Sequence, residues 1–280
     1  MSGLWNNLCV TEWQRLSLRG SEPVEEVLFD GIPGHLVAPL EAWWATWLND
    51  EAAATVALKL RFTLQSSTGA KHWLRQLCIV NDETYLDVLD GLLSTGQPWH
   101  FAGRLALQDL LTQAGSVWAV SADFSSLQKR VAPELTSLVS EIVSGEGSAA
   151  QHLTRAWSEL YGRSPDPSKA CAEAIKAMEA AAAPVISPEN LKATLGTINA
   201  DIRAKPSKFQ TVLGDGNAAG SIEPVLALMD AAWKAQVDRH AGINPTVPVS
   251  AEQAQMIVSA AVIVVHWFAL GSVTVVEDGA

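Results

Sequence analysis

The sequence predicts a mainly α chain, in which a C-terminal helical bundle follows a smaller N-terminal half of α+β or mixed character. Three observations carry this expectation. Residues 166–270 contain four apolar stretches at helical spacing, punctuated by serine, aspartate and proline; residues 55–64 alternate with the period of a strand; and the 280 residues, 48% hydrophobic against 18% charged, hold enough core material for two domains. The boundary is expected at Ser144-Gly145-Glu146-Gly147-Ser148, a small-residue stretch without a large apolar side chain. It separates residues 1–149, which carry eight of the eleven tryptophans, from residues 150–280.

In the first half, Val56, Leu58, Leu60, Phe62 and Leu64 fall on one face of an extended chain, so Thr55–Leu64 reads as a half-buried strand. Trp73–Val80 and Val117–Val120 are weaker strand candidates, whereas Leu40–Leu48, Glu83–Leu93 and Leu105–Gln113 have helical spacing. Trp43 and Trp47, one helical turn apart, are expected to be core anchors because of their large apolar area.

The second half is punctuated more clearly. Asp166 caps a helix whose first position is Pro167, and Pro184 is expected to stop it. Ser187-Pro188 repeats the device, placing Leu191, Leu195 and Ile198 on one face, with Pro206 beyond the end. A third helix begins near Ser221, with Glu223 in its first turn and Val225, Leu228, Met229 and Trp233 along one stripe. A fourth opens at Ser250, where Gln253 three residues on completes a capping box. A preceding helix is expected over His152–Tyr161, and a short strand over Ser272–Val276.

The net charge of −11 argues against a general DNA-binding or anionic-membrane surface, since neutralising phosphates requires clustered lysine and arginine. Cys9, Cys78 and Cys171 are far apart and lack metal-ligand spacing, so they read as free thiols in a reducing compartment. Met1–Leu16 lacks the basic start and unbroken apolar core of a signal peptide, and Ile257–Leu270, about 14 residues, is short of a membrane span. A cytoplasmic protein with no membrane partner is expected. No phosphate loop, dinucleotide fingerprint, zinc spacing or nucleophile elbow is present, so no cofactor and no metal are expected. Gly31–His35 and Gly214–Asn217 read as turns, Asp82, Glu83, Asp87 and Asp90 as a solvated helix face, and His266 as a core histidine.

The polar feature that stands apart is Asp238-Arg239-His240, which lies beyond Trp233 and before Gly242 and Pro245. By itself it is a helix exit, with cations placed where exposed carbonyls attract them.

Ala156-Trp157, Tyr161-Gly162-Arg163, Pro165–Ala170, Ala174–Ala177, Thr194–Thr197, Asp238-Arg239-His240 and His266-Trp267-Phe268 occur in one order. Together they resemble the abortive-infection-like C-terminal domain of actinobacterial and phage proteins, a helical domain related to the HEPN class. The resemblance covers about His152–Phe268. It implies a HEPN-like bundle, a possible homodimer, and a setting in phage defence. In RNA-cutting members of the class an arginine and a histidine separated by four to six intervening residues act on the phosphodiester, the histidine moving the proton and the arginine holding the phosphate. None of His35, His72, His100, His152, His240 and His266 follows an arginine at that spacing. The expectation is therefore a non-catalytic sensor or protein-interaction module with an unidentified protein partner. The alternative is an RNA-cleaving toxin with His240 and Arg239 as catalytic residues and Lys234 and Asp238 binding the RNA.

Overall fold

The computed structural model describes residues 28–66, 68–95, 101–145, 147–214, 219–235 and 248–276. Helices dominate, as expected. In chain order they are α1 (Gly34–Trp47), α2 (Asp50–Lys59), α3 (Ala70–Val80), α4 (Asp82–Leu93), α5 (Phe101–Gln113), α6 (Pro133–Val143), α7 (Ser148–Tyr161), α8 (Pro167–Ile186), α9 (Leu195–Ala204), α10 (Glu223–Ala235) and α11 (Ala251–Ala269). The strands are short: β1 (Trp118–Val120), β2 (Leu127–Lys129), β3 (Phe209–Thr211), β4 (Gly220–Ser221) and β5 (Val273–Val275). β1 and β2 form an antiparallel ribbon, and β4, β3 and β5 form an antiparallel sheet in that order. β1 and β5 fall where the sequence places strands.

Two of the strand expectations fail. Thr55–Leu64 is the second half of α2 followed by a turn, and Trp73–Val80 lies wholly within α3. Asn49 caps α2 by accepting from Ala52 N–H, Asp50 and Glu51 occupy its first turn, and its buried face is Ala52, Ala53, Val56 and Ala57. Leu58, which completes the apparent alternation, points outward and is 79% exposed. In α3 the buried residues are Ala70, Leu74 and Cys78, at the four-residue spacing of a helix face. Among the described residues the first half is thus helical apart from the β1–β2 ribbon.

In the second half Asp166 caps α8 through Lys169 N–H with Pro167 at its start, and the Ser250–Gln253 capping box opens α11, both as expected. Pro184 does not stop α8, which runs on to Ile186. Proline interrupts a helix by withholding one N–H and crowding the carbonyl four residues back. Here it comes within three residues of the end, so α8 loses only the bond to Ala180. Nor does Ser187 cap a helix. Its hydroxyl donates to Asp201, Leu191 is exposed, and α9 begins at Leu195 under a capping box formed by Thr194 and Thr197.

Two apolar cores result. One is built by Ile32, Leu36, Leu40, Trp43, Trp44, Leu74, Leu86, Leu89, Leu107 and their neighbours through Leu127; the other runs from Val139 of α6 to Val273 of β5. Trp43 is a core anchor, as expected, and its indole N–H donates to Gly103 O at 2.7 Å. α11, at 19 residues, is the one helix among the described residues long and apolar enough to cross a membrane, longer than the 14 residues its most apolar stretch suggests. It packs against α7, α8 and α10, and eight of its side chains are buried. Cys78 and Cys171 are buried and outside any disulfide; Cys9 lies outside the described residues.

The cores meet at Arg163. Its guanidinium is 2.6 Å from Glu83 and 2.8 Å from Asp87 of α4, and lies over the Trp118 ring at 4.6 Å. Beside it Trp157 Nε1 donates to the buried amide oxygen of Gln128 at 3.0 Å. The acidic face of α4 is solvated at Glu83, 72% exposed, and at Asp87, 47% exposed, yet all four carboxylates also have partners. Asp82 accepts from Ile32 N–H, Asp90 from Leu127 N–H, and the other two hold Arg163.

Candidate functional site

Of the four residues singled out at the end of α10, Lys234 is described, while Asp238, Arg239 and His240 lie outside the described residues. Lys234 is placed by the last turn of α10, where its ammonium reaches Asp230, four residues earlier on the same face, at 2.6 Å. The same carboxylate takes Arg203 of α9. The hydrogen bond from Lys234, followed by that from Arg203, holds the Asp230 carboxyl below the usual aspartate range. Both cations converge on one acceptor that ties α10 to α9. Packing confirms the closeness of these helices: a Cβ on Gly196 would meet the Trp233 ring at 2.4 Å.

A second group, which sequence reading did not single out, lies on α7 and α8. Glu173 of α8 accepts from His152 Nδ1 of α7 at 2.7 Å and from Lys176 Nζ at 2.6 Å, with Arg155 at 4.0 Å. Burial alone would raise the Glu173 carboxyl; the hydrogen bonds from Lys176 and His152 outweigh it, and the group sits below its ordinary range. An ionised carboxylate can only accept, so His152 Nδ1 carries the hydrogen in this bond and Nε2 is the ring nitrogen left for other partners. This is the arrangement by which a carboxylate fixes the orientation and tautomer of a base.

Six residues further along α8, Glu179 behaves oppositely. Burial pushes its carboxyl above the usual glutamate range, although it accepts from Leu195 N–H at 2.7 Å at the start of α9. His152, Lys176 and Glu179 line an open cleft of about 550 Å³, walled by Ala180, Ala183, Pro184 and Pro188 and rimmed by Leu191. Glu173 is not part of this lining, so the cleft itself presents the His152 ring, the Lys176 ammonium and the Glu179 carboxyl, which burial makes hold its proton more readily. No signal of periodicity could have found the pair: His152 and Glu173 are 21 residues apart and meet only because α7 packs on α8.

The Glu179 shift has a testable sign. A carboxyl raised in the folded state is destabilising once ionised, so its penalty is absent below the unfolded value and grows as pH rises through the folded one. Glu179→Gln, which retains an acceptor for Leu195 N–H, is expected to raise the thermal midpoint at about pH 7 and leave it unchanged at about pH 3.5. Melting curves at the two pH values check this, and an equal gain at both would discard the burial argument.

The second cleft, of about 520 Å³, lies between α1 and α3 and is lined by Glu41, Trp44, Asp50, Lys71, His72 and Arg75. Its charges are spent on the fold. Asp50 accepts from Gly69 and Lys71 N–H at the start of α3, Lys71 Nζ donates to the carbonyls of Ala45 and Leu48 at the end of α1, and Arg75 pairs with Glu41. Among the described residues no group of three or more histidine, cysteine, aspartate or glutamate side chains is arranged to hold a metal ion. His266, expected in the core, is half-buried in α11. No family model, curated protein or solved structure matches the chain.

Proposed function

We propose that the chain is a non-catalytic sensor or protein-interaction module of phage defence, as the abortive-infection resemblance suggests, with residues 150–280 as its helical signalling domain. The observation that carries this reading is the engagement of Lys234. The one described member of the expected RNA-binding group pairs its ammonium with Asp230 of its own helix, whose carboxylate also takes Arg203 of α9, so this cation already has an anionic partner within the fold.

The second reading is an RNA-cleaving toxin with Arg239 and His240 as its catalytic pair. A specific observation favours acid–base chemistry somewhere on this chain: His152, oriented by Glu173, faces an open cleft. The two readings separate in one experiment. The purified protein, His152→Ala and His240→Ala are incubated with total cellular RNA under several divalent-ion conditions. No cleavage by any of the three is the expected result. Cleavage by the unmodified protein that is lost in His240→Ala establishes the toxin reading and its site; loss in His152→Ala alone moves the chemistry to the α7–α8 cleft.

A further inference from the structure

α8 presents Lys176, Glu179, Ala180 and Pro184 along one stripe, at i, i+3, i+4 and i+8, and together with Pro188 and Leu191 of the α8–α9 loop they line the cleft of about 550 Å³. A concave site of this size suits a small molecule. Its charge has two ends. At one, Glu173 is shared by Lys176 at 2.6 Å and Arg155 at 4.0 Å as well as by His152, so two full cations meet one carboxylate and leave a surplus of positive charge. At the other, one turn along the same face, the Glu179 carboxyl has Leu195 N–H as its single hydrogen-bond donor among the described residues.

Each end fits one kind of group. Lys176 keeps two of its three N–H donors after serving Glu173, and His152 keeps Nε2, so a carboxylate is received there. Glu179 offers the oxygen that Leu195 does not use, and Pro184, which has no N–H, leaves the Ala180 carbonyl without its usual helix partner on the same wall. Both are acceptors, and an ammonium donates to both. Burial raises the Glu179 carboxyl and outweighs the attraction of His152 and Lys176; a cation set against the carboxylate offsets that burial. Lys176 and Glu179 are separated by about 4.5 Å along the helix axis, so the ligand must carry its opposite charges close together. An α-amino acid does, and its side chain meets Ala183, Pro184, Pro188 and Leu191, the last 97% exposed at the rim.

We propose that the α7–α8 cleft binds a free α-amino acid with an apolar side chain, its ammonium on Glu179 and the Ala180 carbonyl, its carboxylate on Lys176 beside His152. The site stands apart from the phage-defence reading, and binding is read without RNA, so either can fail alone.

Calorimetric titration of the full chain at neutral pH uses L-leucine, L-methionine and L-phenylalanine as probes, with leucinamide and isocaproate as the leucine analogues that each lack one charge. Leucine is expected to bind with a Kd of about 1 mM or below, and each analogue at least tenfold more weakly. Glu179→Gln and Lys176→Gln should each weaken leucine at least tenfold. Lys176 is exposed, so its substitution spares the core and keeps the test intact should Glu179→Gln fold poorly. The His152 ring-nitrogen resonances are expected to move as leucine is added. Failure of all three amino acids to bind at about 20 mM overturns the proposal. Equal binding of leucine and its two analogues overturns it as well, by reducing the cleft to an apolar hollow, as does leucine affinity that survives both substitutions.

Discussion

Arg163→Met is expected to lower stability by about 2–3 kcal/mol and to divide one unfolding transition into two. The Arg163 side chain is only 10% exposed, yet its guanidinium serves two carboxylates and lies on the face of Trp118. Methionine keeps an apolar stem of similar length, so the loss isolates the charge and its contact with the indole. Glu83 and Asp87 remain in contact with water once the arginine is gone, which keeps the cost below the 3–5 kcal/mol of a fully buried broken pair. The second effect follows from position. The two apolar clusters are separate, and Arg163, with the Trp157–Gln128 bond, fastens the later one to α4 and β1 of the earlier. Calorimetry at neutral pH reads both quantities. A single transition shifted by less than about 0.5 kcal/mol would mean that the halves are coupled elsewhere.

What could be read in advance was local. Asp166 before Pro167, and Ser250 three residues before Gln253, are caps written within four residues of sequence, and both form as expected. The α2 error arose because alternation over ten residues cannot distinguish a strand from a helix that also places a leucine outward; Asn49, Asp50 and the alanines that follow are the helix-forming signal that outweighs it. The α3 error has a related cause. Six of the eight residues Trp73–Val80 are apolar, a short run that reads equally as strand or helix, and the four-residue spacing of buried Ala70, Leu74 and Cys78 begins before that window. At the site, the Asp230–Lys234 pairing follows from four-residue spacing, but Arg203, 27 residues before its partner, does not. The His152–Glu173 pair and the docking of Arg163 on α4 likewise depend on which helices become neighbours, a property of tertiary packing that no single stretch records.

The seam that brings His152 to Glu173 should be intolerant of bulk, and Ala174→Leu is expected to cost about 3 kcal/mol. α7 and α8 form the most extensive helix pairing among the described residues. Along α8, Ala170, Ala174 and Ala177 are completely buried at i, i+4 and i+7, and Ala150 and Ala156 are buried on α7. Small side chains at these positions let the backbones approach, and three added carbons at Ala174 must push a neighbour off its rotamer or spread the helices. Glu173 is the adjacent residue, so spreading acts first on its 2.7 Å bond to His152. The loss should thus appear twice: in the urea midpoint, and in the His152 ring-nitrogen resonances, which report whether Nδ1 still donates to a carboxylate. Ala200→Leu, at an exposed position of α9, is the control and should change stability by no more than about 0.5 kcal/mol. If Ala174→Leu costs less than about 1 kcal/mol, the seam has room to relax and close packing is not what sets the cleft geometry. A full cost with unaltered His152 resonances would instead place the strain on the side of α8 away from α7.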